Sequence, residues 1–294
     1  MSAAPQRPAP GGIAGVVLAA GAGQRLAPLT AERPKALCPV GNEALLDRSV
    51  AAIRAAVRAV AVNVHHGRAA MVDHLDGFEA SLGFSADPGV ADAEPWLHVS
   101  IEAERALGTA GALGHLRPWL AGRAALVVNA DAWTAPDLRA FVQDWDYERV
   151  RILVVGTEPF GPRSRIVASL MPWSEVKGFA AEPSGLYERS WRDRAHEGAV
   201  ETCVYDGPFV DCGTPASYLA ANLLAVTVRE QESIVAPGAL VDTTATIADS
   251  VIGAGAEVAG DISSCVLWPG ARVVAGESLA RAIRTAGGRT VLVR

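Results

Sequence analysis

Two glycines, an arginine and a lysine near the start of the chain have the types and spacing that phosphate chemistry needs. In Ala19-Ala20-Gly21-Ala22-Gly23 no side chain exceeds a methyl group. Backbone N–H groups there can approach an anion without steric obstruction. Arg25 adds a planar fork of donors matched to phosphate oxygens, and Lys35 adds a mobile point charge. Together these residues read as a polyphosphate site. A Walker loop is excluded, because no lysine follows the glycines until Lys35. A dinucleotide fingerprint is excluded as well: Leu26 stands where a third glycine would open a helix, and Pro28 argues against a helix continuing from the loop. The positive charge must therefore come from the two side chains rather than mainly from a helix end.

Other candidates lie further along. Asp131 closes the apolar run 124–128 through Asn129-Ala130. Ligands collect at the carboxyl ends of strands in open α/β sheets, and a carboxylate there can hold Mg²⁺ against phosphate oxygens. It can equally cap a helix or accept from a loop. Asp211 follows Phe209-Val210 and precedes Gly213-Thr214-Pro215, where proline suits the first turn of a helix. It either caps that turn or completes a metal site with Asp131, and the fold alone can bring the two together. In Leu107-Gly108-Thr109-Ala110-Gly111 a threonine behind a glycine suits a helix start, and the small residues permit close packing or ligand approach. His65-His66 has no further residue at ligand spacing nearby and reads as a strand-end pair rather than a metal site.

The elements that must position these residues follow from hydrophobic period. Strands are expected over Ile13–Leu18, 59–64, Leu97–Ile101, 124–128 and 151–155, and helices over 42–57 and 136–145. Residues 87–95 are polar and turn-rich. With 294 residues, 50% apolar and 20% charged, the chain suits a soluble globular protein with ample core. A net charge of −6 gives no nucleic-acid footprint. Cys38, Cys203, Cys212 and Cys265 are far apart without metal-ligand spacing, which predicts reduced thiols in a cytoplasmic protein. No apolar run reaches the ~18 residues of a membrane span. Residues 1–12, rich in Ala and Pro without an apolar signal core, read as a disordered tail.

From Ile234 the texture changes. Val235, Val241 and Ile247 are six apart, as are Ile252 and Val258, and again Leu267, Val273 and Leu279. Hexad spacing of aliphatics predicts a β-helix, and about 50 residues predict fewer than three coils. That is a small cap rather than an acyltransferase solenoid. Trp268-Pro269-Gly270 is expected at a contact with another subunit.

The full string Gly21-x-Gly23-x-Arg25-Leu26-x-Pro28-Leu29-Thr30-x3-Arg33-Pro34-Lys35 resembles the signature of the sugar-1-phosphate nucleotidylyltransferases. Leu107-Gly108-Thr109-Ala110-Gly111 is similar to a second segment of that family, and Phe209-Val210-Asp211-Cys212-Gly213-Thr214-Pro215 to a third. A hexapeptide tail after such a domain resembles the mannose-1-phosphate guanylyltransferase-like members. The resemblance implies an α/β fold: a Rossmann-like, mostly parallel sheet domain over 13–228, then a short left-handed parallel β-helix over 234–294. It implies transfer of a nucleoside monophosphate from a nucleoside triphosphate to a sugar 1-phosphate, with Mg²⁺ on Asp131 and Asp211. Arg25 and Lys35 are then the catalytic cations, and Ala19, Ala20, Gly21, Gly23, Gly108 and Thr109 hold the nucleotide. The implied partners are the two substrates, with no nucleic acid or membrane, and a second copy through the tail. One departure stands out. The family's Glu-Lys-Pro lysine, which holds the sugar phosphate, has no match: Glu158-Pro159 and Glu182-Pro183 both lack it. Segment 164–173 is expected to line the sugar pocket. The missing lysine leaves the acceptor open, and leaves a non-catalytic nucleotide-sugar-binding subunit or sensor as the alternative.

Overall fold

The structure, a computed structural model, describes residues 12–81 and 96–294. The expectations for residues 1–11 and 87–95 lie outside them. The chain divides into two compact units, one containing residues 12–21, 46–130 and 134–207, the other 22–45, 131–133 and 208–294.

The first unit is built on seven strands: β1 (Ile13–Leu18), β2 (Val60–Val64), β3 (Leu97–Ile101), β4 (Ala124–Asn129), β5 (Val150–Val155), β6 (Ile166–Met171) and β7 (Val200–Tyr205). Their order is β7-β5-β6-β4-β1-β2-β3. All neighbours are parallel except β6, which runs antiparallel to both β4 and β5. The central strands are apolar almost throughout, as strands covered on both faces must be. Helix α1 (Leu45–Ala56) covers one face of β1: a Cβ on Gly15 would lie 2.8 Å from the Ile53 side chain. Side chains alternate along a strand, so Ala14 and Val16 face the other way. There they join Leu113, Leu116 and Leu120 of α3 (Gly108–Leu120).

Helix α3 lies against segment 180–184 with almost no clearance. A Cβ at Gly108, Gly111 or Gly114 would come within 2.6, 2.1 or 2.3 Å of the carbonyl oxygens of Ser184, Glu182 and Ala180. These glycines are therefore required by packing. Thr109 does not cap the helix; its hydroxyl accepts from the backbone N–H of Leu186 at 2.8 Å.

Two expectations need correction in this unit. The helix expected over 136–145 is confined to Leu138–Val142, capped at Asp137. The buried guanidinium of Arg151 accounts for the early stop: it donates to the carbonyls of Phe141, Gln143 and Asp144, which frees them from continuing the helix. Helix α2 (Arg68–Ser81) and the helical segment 187–196 were not foreseen. In α2, Met71 and Leu75 are fully buried one turn apart, too sparse an apolar face to read from sequence.

In the second unit the chain leaves Gly21 through three single 3₁₀ turns, Gln24–Leu26, Leu29–Ala31 and Lys35–Leu37, without the α-helix that Pro28 argued against. Helix α4 (Pro215–Val228) opens with a capping box between Thr214 and Ser217. After it come three small sheets visited in rotation, parallel except for the last strand, Thr290–Leu292, which runs antiparallel to Ala282–Arg284. Ile234 pairs with Val251, Val251 with Val266 and Val266 with Ile283, so successive circuits take 17, 15 and 17 residues. This pattern fits a β-helix. It corrects the expected coil number: three circuits fit because each is shorter than three full hexads. Gly260 permits one tight corner, where a Cβ would lie 2.2 Å from the Glu277 carbonyl. Ile252, Val258, Ile262, Leu267, Val273 and Leu279 fill the interior.

Trp268 is also corrected. Only 2% exposed, it is buried within this unit, where its indole N–H donates to the Tyr218 hydroxyl at 3.0 Å. Its side chain is therefore not open to the expected subunit contact, whereas Pro269 is half-buried and Gly270 exposed. Tyr218 in turn donates to the carbonyl of Pro39, and Asn222 accepts from Gly41 N–H at 3.0 Å. Asn42 donates to the carbonyl of Ile252, and Glu32 accepts from Thr285 at 2.9 Å and Arg289 at 3.1 Å. Loop 22–45 is thus tied to both α4 and the tail.

Candidate functional site

The second unit gathers four of the predicted side chains. Lys35 opens its 3₁₀ turn with only 8% of its surface exposed. Its ammonium donates to Asp131 Oδ2 at 3.2 Å and Asp211 Oδ1 at 3.3 Å. The expected mobile charge is therefore a pinned one, held because a buried ammonium needs paired acceptors. Arg25 Nη2 lies 3.5 Å from Asp211 Oδ2, yet its side chain is 73% exposed. An exposed pair of that length binds weakly, so the guanidinium can turn to a phosphate at little cost.

Two glycines set this geometry. Gly23, at φ 61°, would place a Cβ 2.9 Å from the Lys35 and Thr30 side chains. Gly213, which sequence reasoning quoted without a role, would place one 2.9 Å from Arg25 Nη2 and 3.0 Å from Asp211 Oδ1. Asp131 and Asp211 stand side by side because Cys212 N–H donates to the Asp131 carbonyl at 3.1 Å. Burial pushes the thiols of Cys38 and Cys212 up to about 12 against the pull of the nearby cations, including Lys35. Near neutral pH neither offers a thiolate nucleophile.

Among the described residues no group of three or more histidine, cysteine or carboxylate side chains is arranged to hold a metal. Mg²⁺ needs fewer: one or two carboxylates, with phosphate oxygens and water completing the octahedron. Asp131 and Asp211 fit that requirement. Both carboxylates are about half exposed and converge on one cation, at present the Lys35 ammonium.

In the first unit, Ala19, Ala20 and Gly21 follow β1, and Gly108 and Thr109 open α3. These segments are joined by a buried chain of hydrogen bonds. Ala19 N–H donates to Asn63 Oδ1 at 2.7 Å, Asn63 Nδ2 donates to Glu102 Oε1 at 2.7 Å, and Leu107 N–H donates to Glu102 Oε2 at 2.8 Å. Asn63 and Glu102 are each 2% exposed. Sequence reasoning assigned neither a role. The available signal was Asn63 itself, a polar residue inside the apolar strand Val60–Val64, which burial obliges to find partners. The Ala19 amide is committed to this network and is not available to an anion. His65 and His66 lie at a strand end, where their Nδ1 atoms donate to the carbonyls of Glu102 and Ala20.

This unit also holds a cavity of about 180 Å³ at the carboxyl ends of β1 and β4. Leu18, Asn129, Ser169, Tyr187, Glu188 and Trp191 contribute to its wall. Part of the expected pocket segment, Ile166 and Ser169, does line it. Tyr187 to Trp191 form a π-helical turn, a geometry that often accompanies function.

Residues 14–162 match the family model described as nucleotidyl transferase. The chain is 34% identical over 145 residues to the N-acetylmuramate alpha-1-phosphate uridylyltransferase of Caulobacter vibrioides, covering 48% of this chain and 56% of that protein. It thus spans little more than half the length of that relative. It is 27% identical over 314 aligned positions to the mannose-1-phosphate guanylyltransferase of Mycobacterium tuberculosis, covering 89% of this chain and 81% of that one. Among solved structures, a Bacillus anthracis protein assigned as a glucose-1-phosphate thymidylyltransferase, in complex with a sucrose, superposes with a TM-score of 0.56. It shares 19% identity and covers 72% of this chain and 95% of its own, a likeness of fold. Among the described residues no helix is long and apolar enough to cross a membrane.

Proposed function

The chain belongs to the nucleotidyl transferase family, and from that premise we propose that it joins a nucleoside triphosphate to a sugar 1-phosphate, giving a nucleotide sugar and pyrophosphate. The observation that carries this reading is the cluster of Arg25, Lys35, Asp131 and Asp211, two cations and two carboxylates within hydrogen-bonding or ion-pair distance. In the reaction an oxygen of the sugar phosphate bonds to the α-phosphorus, and the bond to the β-phosphate breaks with its electron pair going to pyrophosphate. Such chemistry needs positioning and charge neutralisation more than covalent help.

Arg25 has the freedom to follow and neutralise the leaving pyrophosphate. Lys35 supplies a fixed positive charge beside the reacting phosphates, with no reorganisation needed as charge develops. Asp131 and Asp211 would hold Mg²⁺, which when bound neutralises phosphate charge. Gly21 and Gly23, with the start of α3 at Gly108 and Thr109, serve the nucleotide, Ala19 and Ala20 shaping that loop. The cavity beside β1 and β4 receives the sugar ring. Mannose 1-phosphate with a guanine nucleotide is the finer choice, supported by the similarity to a guanylyltransferase that covers 89% of this chain and by a tail that fits a short left-handed hexapeptide β-helix. Self-association through that tail, in a cytoplasmic protein, belongs to the same proposal.

One observation favours a second reading. The described residues lining the cavity include no lysine, arginine or histidine to take the place of the family's sugar-side lysine. A nucleotide-sugar-binding regulatory protein would have that property. Pyrophosphate release measured over a panel of triphosphates and sugar 1-phosphates with Mg²⁺ separates the two: turnover of at least one pair supports the transferase, and binding without turnover supports the regulator.

A further inference from the structure

The cavity of the first unit differs from a phosphate site in its electrostatics. Its aromatic walls are Tyr187 and Trp191, and its polar groups include Asn129 and Ser169. The one carboxylate among the described lining residues is Glu188, and no cation among them offsets it. Glu188 is directed by its neighbour: a Cβ on Gly185 would lie 2.2 Å from Glu188 Oε2, so the carboxylate rests over a backbone bare of side chain. Aromatic faces and hydrogen-bonding groups suit a sugar ring, whose C–H face is apolar and whose rim carries hydroxyls. A carboxylate accepts hydrogen bonds from such hydroxyls and repels an anionic substituent in their place.

We propose that Glu188 makes this cavity select sugars that present only hydroxyl or amide groups, and reject sugars that carry a carboxylate of their own. The inference rests on the reading of the cavity as the sugar site of a transferase. It separates this protein from the similar uridylyltransferase, whose named substrate, N-acetylmuramate, is an acid. Specificity of this kind is negative: the wrong substrate is excluded by like charge rather than the right one bound more tightly.

The test uses pairs that differ at one carbon. Glucose 1-phosphate is compared with glucuronate 1-phosphate, and mannose 1-phosphate with mannuronate 1-phosphate, each with the four common ribonucleoside triphosphates, by pyrophosphate release. The neutral member should have at least about tenfold higher kcat/KM, since Glu188 sits at the exposed rim and water screens part of the repulsion. E188Q should narrow the ratio by several fold, and E188K should reverse it. G185A, which pushes the carboxylate aside, should narrow it without altering charge. Glu188 is exposed, so these substitutions leave the core alone. Equal kcat/KM for the two members, or a ratio unmoved by E188K, overturns the selection alone. No turnover of any sugar phosphate by the unmutated protein overturns the transferase reading and the selection with it.

Discussion

The hydrogen-bond polarity of the Ala19–Asn63–Glu102–Leu107 chain makes an unusually sharp prediction, because both of its ends are backbone N–H groups that can only donate. Asn63 must turn its oxygen to Ala19, which leaves its NH₂ for Glu102. Both oxygens of Glu102 are then acceptors. E102Q keeps the volume and fails on polarity: wherever the new NH₂ points, it meets another donor. One charge-assisted bond, worth about 1.5–3 kcal/mol, is lost, and the two donors that now meet are left unpaired at about 1–3 kcal/mol each, so a net loss of roughly 3 kcal/mol is expected after relaxation. That corresponds to a fall in Tm of roughly 6–12 °C for a unit of this size. N63D alone should cost at least as much, since it sets its own carboxylate against that of Glu102 at hydrogen-bond distance inside the protein. The double variant N63D/E102Q restores every pairing: the introduced carboxylate accepts from Ala19 and from the new amide, and the amide oxygen accepts from Leu107. It should recover at least about 2 kcal/mol over E102Q, measured by calorimetry as a double-mutant cycle. The KM for the triphosphate should rise in both single variants and return towards the parent value in the double. A double variant no more stable than the worse single would refute the polarity argument.

The remaining expectations concern the second unit. R25A should lower turnover at least ~100-fold at unchanged Tm, the usual cost of one donor aimed at developing charge, and near-normal pyrophosphate release would remove Arg25 from the mechanism. D131N and D211N should each abolish most turnover with little effect on melting, the double variant being scarcely worse, whereas a Tm drop without loss of activity would make them structural. Burial pushes the Glu32 carboxyl up, but hydrogen bonds from Thr285, Arg289 and the Gly287 backbone outweigh it and hold the group below its usual range. Its stabilisation is therefore present above the unfolded carboxyl value near 4.5 and is lost as pH falls through the lower folded one. E32Q should flatten that part of the acid stability curve, and an unchanged acid limb in denaturant titrations would show that the contact contributes nothing. Leu240 is 64% exposed on the first circuit of the tail, beside the exposed Val241; L240D should reduce any self-association seen by light scattering, and an unchanged particle size would clear this face.

The α/β order and most strands of the sheet were legible because buried parallel strands are apolar almost throughout and end in turn residues. The charged cluster was legible for a different reason: Arg25, Lys35 and Asp211 sit near glycine or proline punctuation that fixes the local chain, and Asp131 closes an apolar strand. Asn63 and Glu102 were harder, since a hydrogen-bond partner thirty-nine residues away leaves no periodic trace. Lys35 was half legible. Its charge was plain, but its pinning depends on Asp131 and Asp211, whose convergence the fold alone decides. The stop of the helix at Val142 lay in Arg151, a residue of the next strand. The shortened circuits lay in corners such as Gly260, which the spacing of aliphatics on flat faces does not register.

Loop 22–45 carries Arg25 and Lys35 and has little regular structure of its own, so on its own account it would be among the first parts of a protein to open on warming. Its contacts with Tyr218, Asn222, Ile252, Thr285 and Arg289 remove that independence. To open, the loop must strip partners from a helix and from a tail whose strands are each paired to the next. The loop that carries Arg25 and Lys35 therefore borrows the cooperativity of the tail. On a slow temperature ramp, binding of a triphosphate and the β signal of the tail should vanish together, with no interval in which a folded but loosened protein has already lost its ligand.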